Sequence, residues 1–101
     1  MIYVVLMKNN PQSLNQNSIS ISEVNIELIK PNEGIVAFAS IVINDSIYLG
    51  GIAIHKKLHT SGYRITYPSK GKFNVFYPIN KSTGLAIEEA ILTKFNQLII
   101  L

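Results

Sequence analysis

The hydrophobic residues of this chain change their spacing once, near Asn80, and that change constrains the fold more than any other feature. Before it, apolar residues alternate with polar ones or form short continuous runs, as they do in β-strands. After it, Ile87, Ile91 and Phe95 recur every fourth residue, which places them on one face of an amphipathic helix that Asn80 or Ser82 caps. Strands followed by one helix predict a two-layer α+β domain.

About five segments before Asn80 have the composition of strands, and we expect an antiparallel meander because consecutive strands usually pair with each other. The run from Ile35 to Ile43 is apolar at both alternating sets of positions, which is typical of a central strand buried on both faces. The alternation slips by one residue near Glu23, and Gly50-Gly51 predicts a β-bulge in the third strand. The predicted segments are 19–29, 35–43, 47–57, 63–67 and 73–77.

The chain has 101 residues, of which 48 % are hydrophobic, enough for one domain with a small core. Residues 1–18 join the apolar run MIYVVLM to a connector rich in Asn, Gln and Ser, which predicts a flexible extension ahead of a single domain at 19–101. The sequence is equally compatible with Met1 or Met7 as the first residue of the protein. The apolar run is too short to span a membrane and lacks a signal-peptide cleavage site, so we expect a cytoplasmic protein with no membrane partner.

The charges are unevenly distributed along the chain. The net charge is +3, and no Asp or Glu occurs from Ser46 to Ile87. Basic residues in that interval create a field of one sign, which attracts the phosphates of nucleic acids in a salt-dependent way. The alternative is a solvated surface whose lysines only keep the protein soluble. The candidate phosphate contacts are Lys56, Lys57, Arg64, Lys70, Lys72 and Lys81.

Aromatic residues are interleaved with these basic residues. Exposed aromatic rings on a sheet can stack on unpaired bases, although an aromatic residue on a strand more often belongs to the core. We therefore expect Phe73 or Phe76 to be buried. Tyr63, Tyr67 and Tyr77 are the candidates for stacking.

No residue spacing in the chain indicates catalysis or metal binding. The absence of cysteine excludes disulfides, thiolate metal sites and cysteine nucleophiles. His55 and His59 lie four residues apart, but they straddle a strand end and no nearby carboxylate completes a ligand set. Glu88 and Glu89 are adjacent, so they diverge on a helix. The sequence SKGK at 69–72 lacks the second glycine of a P-loop. We expect no enzyme, cofactor, metal or small-molecule substrate.

Five segments of the chain form a recognisable series: the strand ISEVNIELIK, the A-x-A-S-I strand at 37–41, Pro68-Ser69-Lys70, Pro78-Ile79-Asn80 and the helix AIEEAILTKF. They resemble the motifs of the stage V sporulation protein G (SpoVG) family, in the family's order and at compatible spacings. The resemblance covers roughly residues 21–98. Tyr77 stands in place of the family's usual His, and Gly84 replaces an Arg that commonly opens the helix. Pro68-Ser69-Lys70 match the family's P-S-[RK] motif, and Pro78-Ile79-Asn80 match its H-P-I-N motif.

The resemblance implies a homodimeric α+β protein that binds DNA and RNA with weak sequence selectivity and regulates septation and sporulation in bacteria. The basic residues would contact phosphates as mobile cations, and the two basic surfaces of a dimer would add. The loss of an Arg at Gly84 removes one expected basic contact. The alternative, from a different class, is a non-catalytic protein-interaction module that uses the apolar C-terminal helix.

Overall fold

The computed structural model describes residues 19–100 as a four-stranded antiparallel sheet with one helix packed on it, which confirms the predicted α+β class. The predicted extension, residues 1–18, lies outside the described residues, as does Leu101. The sheet is a meander in which β1, β2, β3 and β4 pair in chain order. The elements are β1 Ile21–Asn32, β2 Ile35–Ile43, β3 Ile47–Lys56, β4 Tyr63–Thr66, the hairpin strands β5 Ser69–Lys70 and β6 Phe73–Asn74, and α1 Lys81–Ile99.

Both turns between the long strands have two successive residues at positive φ. Glu33 and Gly34 connect β1 to β2 with φ values of 54° and 88°, and two successive residues at positive φ are typical of a type I′ hairpin turn. Asn44 and Asp45 adopt φ values of 54° and 52° between β2 and β3. The Asn44 N–H donates to the Ser20 carbonyl at 2.7 Å, and the Asn44 side-chain oxygen accepts from the Ser20 N–H at 2.6 Å. These two hydrogen bonds tie the residues before β1 to the β2–β3 turn.

Two irregularities expected from the sequence are present in the sheet. The β1–β2 register shifts between Ile21 and Glu23, where the apolar alternation changes phase. The β2–β3 register shifts where Gly50 and Gly51 together lie opposite Ser40. Gly51 has a φ of 79°, in the left-handed region that glycine adopts without a steric penalty, so the predicted bulge is confirmed.

The core lies between one face of the sheet and helix α1. Ile41, Ile52 and Ile54 point from β2 and β3 toward the helix, and Ile91 and Phe95 of the helix meet them; all five are buried. The apolar stripe of α1 therefore packs on the chain's own sheet. This placement limits the interaction-module hypothesis, because Ile87, Ile91 and Phe95 are buried within the chain itself, whereas Leu85 and Ile99 near the two ends of the stripe stay exposed. No helix within residues 19–100 is long and apolar enough to cross a membrane.

The opposite face of the sheet is open, so the expectation that β2 is buried on both faces is wrong. Phe38 of β2 is 38 % exposed, and Tyr48 of β3 is 69 % exposed on the same face. The Tyr48 ring lies across Gly50, where an added Cβ would come within 3.1 Å of it. The physical reason is that residues 19–100 contain one helix, and one helix covers one face of a sheet.

The predicted fifth strand is shorter than residues 73–77 and does not join the main sheet. Only Phe73 and Asn74 form β6, which pairs with Ser69 and Lys70 in a separate two-stranded hairpin. Pro68 separates this hairpin from β4, because proline has no N–H to donate to a ladder. After β6, residues 75–80 connect the hairpin to the start of helix α1, and Phe76 in this segment packs against the core.

Candidate nucleic-acid interface

All six predicted cations are exposed, but the structure does not gather them on one face. In the β3–β4 register, Lys56 lies opposite Tyr63 and His55 lies opposite Arg64. Successive residues of a strand point to opposite faces, so Lys56 is on the helix side and Arg64 is on the open side. Lys57 follows Lys56 directly and begins the loop to β4. The cations that the sequence groups together are thus divided between two surfaces.

Lys70 and Lys72 lie on the β5–β6 hairpin. Lys70 is opposite Phe73 in the register, and Lys72 is in the turn that connects the two strands. The Val75 N–H donates to the Pro68 carbonyl at 2.8 Å, which closes the base of the hairpin. The P-S-K motif therefore begins a short hairpin that is separate from the main sheet, and the two hairpin lysines, Lys70 and Lys72, are exposed.

The second motif, Pro78-Ile79-Asn80, leads directly into helix α1. Asn80 is the N-cap: its side-chain oxygen accepts from the Thr83 N–H at 2.8 Å and from the Ser82 hydroxyl at 3.0 Å. Lys81 is the first helical residue, and the first turn contains no acidic residue. The positive end of the helix dipole and the Lys81 ammonium therefore act together at this point. Such an end favours a negatively charged ligand.

Gly84, where the family commonly has Arg, lies in the second turn of the helix and faces Pro78. A Cβ at Gly84 would lie 3.5 Å from the Pro78 Cγ, which is an ordinary van der Waals contact. Lys81, Leu85 and Glu88 line the same recess. A side chain at position 84 would extend into the recess that the Lys81 ammonium and the Glu88 carboxylate also line. A Cβ is therefore sterically acceptable at Gly84, and the glycine leaves this position without the charge that an Arg would carry.

Two of the three tyrosines proposed to stack on bases are packed in the protein instead. The Tyr63 ring meets Phe95 edge-on at a centroid distance of 4.8 Å, and Tyr67 meets Phe76 edge-on at 5.9 Å. Tyr63 and Tyr67 are partly buried against the core, which contradicts their predicted role. Burial, and then the nearby Glu88 carboxylate, raises the pKa of Tyr67.

The exposed aromatic residues are a different set from the one predicted. Tyr77 remains exposed, as expected, but Phe73 is exposed as well, while Phe76 is partly buried. Tyr48 and Phe38 are also exposed, on the open face of the sheet. One sequence signal indicates that Phe73 does not belong to a core strand: it follows Pro68 and the turn at Gly71. Phe73 and Tyr77 are the rings that lie near the hairpin lysines along the chain.

His55 takes part in a local hydrogen bond and not in a group of metal ligands. Its Nε2 lies 2.8 Å from the Thr66 hydroxyl, across the β3–β4 pair. Burial, and then the positive charge of Arg64, lowers the pKa of His55 below its ordinary value. Nowhere in residues 19–100 do three His, Cys, Asp or Glu side chains group as ligands for a metal ion.

The open face of the sheet carries opposite charges at its two edges. Glu23 and Glu27 lie on the edge strand β1 and share this face with Phe38, while Arg64 lies on it at the other edge strand, β4. Phe38 and Tyr48 line a shallow recess of 190 Å³ between those edges. The face is therefore acidic on one side, apolar in the middle and basic on the other.

The fold and this surface define a class of small two-layer α+β domain in which residues 75–80 join a basic hairpin to the start of the one helix within residues 19–100. The SpoVG family model matches residues 19–97, nearly all of the described part of the chain. The chain belongs to the SpoVG family, and the resemblance seen in its motifs is confirmed. None of the curated proteins matches the sequence.

Proposed function

We propose that this member of the SpoVG family regulates bacterial septation and sporulation as a homodimer that binds DNA and RNA with weak sequence selectivity and without catalysis. The observation that carries the proposal is the set of exposed cations from Lys56 to Lys81, in an interval from Ser46 to Ile87 that contains no acidic residue. Membership of the family supports the same function.

The positions of the lysines fit a long polyanion better than a small anion. Lys70, Lys72 and Lys81 lie on the hairpin and at the helix start, whereas Lys56 and Lys57 lie at the far end of β3. A small phosphate ligand would need converging donors, but a nucleic acid offers phosphates along its whole length. Lysine ammonium groups on flexible stems meet those phosphates as point charges and do not read bases. Weak sequence selectivity is the expected result.

The open face of the sheet is the surface we assign to the homodimer. Two such faces packed about 10 Å apart would remove Phe38 and Tyr48 from water. A two-fold axis parallel to the strands places β1 of one copy over β4 of the other, so that the acidic edge meets Arg64. A two-fold axis perpendicular to the strands, in the plane between the two sheets, would instead place β1 of one copy over β1 of the other, so that acidic residues would face acidic residues. The charges therefore favour the parallel axis, and Arg64 then contributes to the dimer and the five lysines to nucleic-acid binding.

The test is fluorescence anisotropy with labelled duplex DNA and single-stranded RNA at low and moderate salt. The variant Lys70→Ala/Lys72→Ala/Lys81→Ala removes the cations of the hairpin and the helix start. Its matched control, Lys30→Ala/Lys94→Ala, removes exposed lysines outside the acid-free interval. We expect wild-type affinity to fall steeply with salt. The triple variant should lower that slope by up to about 2.7 on duplex DNA, roughly 0.9 for each lost phosphate contact.

The control variant should keep the wild-type salt slope. Folded wild-type protein that binds neither probe at low salt, or a triple variant that binds as the wild type does, would refute the proposal. The dimer has its own test in light scattering: Arg64→Glu places acid over acid and should shift the protein toward a monomer. A restored dimer in Arg64→Glu/Glu27→Lys would support the proposed axis.

A further inference from the structure

Phosphate binding leaves one feature of the hairpin and the helix start unexplained, a run of exposed apolar side chains. Five of them are between 53 % and 88 % exposed, although neighbouring Phe76 and Pro78 turn inward. Ile79 is the most exposed of the five, immediately before the helix cap. We call the following set the hairpin–helix surface: Phe73, Val75, Tyr77, Ile79 and Leu85, with Lys70, Lys72 and Lys81 between and beside them.

We propose that the hairpin–helix surface binds anionic lipid bilayers. The apolar side chains enter the headgroup region while the lysine ammonium groups contact lipid phosphates. Exposed aromatic and aliphatic side chains bordered by lysines are the composition of segments that lie at a membrane interface. Each lysine near an anionic leaflet adds attraction that falls off within a Debye length.

The structure places lysines and apolar side chains next to each other at both ends of this surface. Lys70 and Phe73 are cross-strand partners in the hairpin, so their side chains share a face. Lys81 and Leu85 are four residues apart on α1 and line one recess together with Pro78. Both pairs present a cation beside an apolar group, as an interface between water and acyl chains requires.

The aliphatic side chains favour lipid over nucleic acid as the ligand of this surface. Val75, Ile79 and Leu85 have no ring to stack on a base, so contact with nucleic acid leaves them in water. Insertion among lipid headgroups removes them from water, and this is favourable in proportion to the apolar area buried.

The lysines favour lipid over a protein partner. Lysine is depleted at protein interfaces, and here three lysines border five apolar side chains. The acidic residue among the recess neighbours is Glu88, which is half-buried. Peripheral binding needs no spanning segment, and the inference departs from the sequence-based expectation of no membrane partner. The lysines are shared with the proposed nucleic-acid interface, so the two ligands compete.

The experiment is cosedimentation of the full-length protein with vesicles of phosphatidylcholine, alone or mixed with phosphatidylglycerol. The variant Phe73→Ser/Val75→Ser/Ile79→Ser removes apolar groups and keeps every charge. Leu58→Ser is the matched control, because Leu58 is 83 % exposed and lies in the β3–β4 loop outside this surface. Far-UV circular dichroism and a thermal melt show that each variant is folded.

We expect the wild type to bind phosphatidylglycerol vesicles and to bind pure phosphatidylcholine far more weakly. The triple serine variant should bind at least about tenfold more weakly, and Leu58→Ser should stay within about twofold of the wild type. The serine variant keeps all three lysines, so it should keep its affinity for duplex DNA, whose bases are paired, whereas the triple lysine variant should lose affinity for both ligands.

Three results would overturn the inference. One is a folded wild-type protein that does not bind anionic vesicles at low salt. Another is a serine variant with wild-type vesicle affinity. The third is a serine variant that changes from dimer to monomer with unchanged vesicle affinity, which would assign the surface to a second copy of the chain. Vesicle binding without any oligonucleotide binding would refute the proposed function and leave this inference standing.

Discussion

Gly84 offers a direct test of how the second turn of helix α1 is stabilised. Glycine in a helix costs about 0.8–1.0 kcal/mol relative to alanine, because the unfolded chain has more backbone freedom to lose. The backbone of Gly84 is helical, and its N–H donates to the Asn80 carbonyl at 3.2 Å. The Cβ of an alanine would lie 3.5 Å from the Pro78 Cγ, without a clash. Gly84→Ala should therefore raise the free energy of unfolding by roughly 0.5–1 kcal/mol.

Gly51→Ala is a closely matched control for this reasoning. A Cβ at Gly51 would also be in ordinary contact with a proline, 3.6 Å from the Pro68 Cβ. The backbone differs, because Gly51 has a φ of 79° in the β-bulge. A left-handed residue with a Cβ costs about 1–2 kcal/mol, so Gly51→Ala should destabilise the protein by that amount. The two substitutions thus make the same kind of contact, each with a proline, and should have opposite effects on the free energy of unfolding.

Urea unfolding followed by circular dichroism measures both effects, and thermal melts should show shifts of several degrees in opposite directions. For a domain of this size, 1 kcal/mol corresponds to about 4–8 °C in Tm. A destabilised Gly84→Ala variant would mean that the Pro78 contact is tighter than the structure indicates. An unchanged Gly51→Ala variant would mean that the bulge tolerates a side chain, and the argument from backbone conformation would be wrong.

Two further predictions concern the helix cap and the β3–β4 histidine. Asn80→Ala removes the acceptor of the Thr83 N–H and should cost about 1 kcal/mol in urea unfolding, whereas Asn80→Asp should cost much less; equal losses would contradict the capping role. Burial and Arg64 lower the pKa of His55, so the unfolded chain binds a proton more readily, and stability should fall as the pH drops through the ordinary value of 6.5. His55→Gln, which cannot titrate, should flatten that dependence; an unchanged pH profile would refute it.

The local structure of this protein was predictable from the sequence because it depends on neighbouring residues. The fourth-residue recurrence of Ile87, Ile91 and Phe95 predicted the buried face of the helix correctly, since the period of an α-helix is fixed. Gly50-Gly51 predicted the bulge because the left-handed backbone at that position suits glycine. The family motifs were equally readable, since their order and spacing are properties of the chain alone.

The candidate site was predictable only in part. The sequence identified a long interval without acidic residues, and every cation in it is exposed. It did not show that Lys56 and Arg64 point to opposite faces, because that depends on where the β3–β4 register begins. It also did not separate Tyr63, which packs on Phe95, from Phe73, which faces solvent on a hairpin of its own.

The sequence by itself determined the helix stripe, the turns, the bulge, the family and the distribution of charge along the chain. Only the tertiary structure decided which face of β2 the helix covers, that residues 69–74 leave the main sheet, and that apolar side chains beside the lysines remain in water. The reason is physical: periodicity tells which side chains share a face of one element. The layer that covers that face is set by how many elements the chain provides and how they pack.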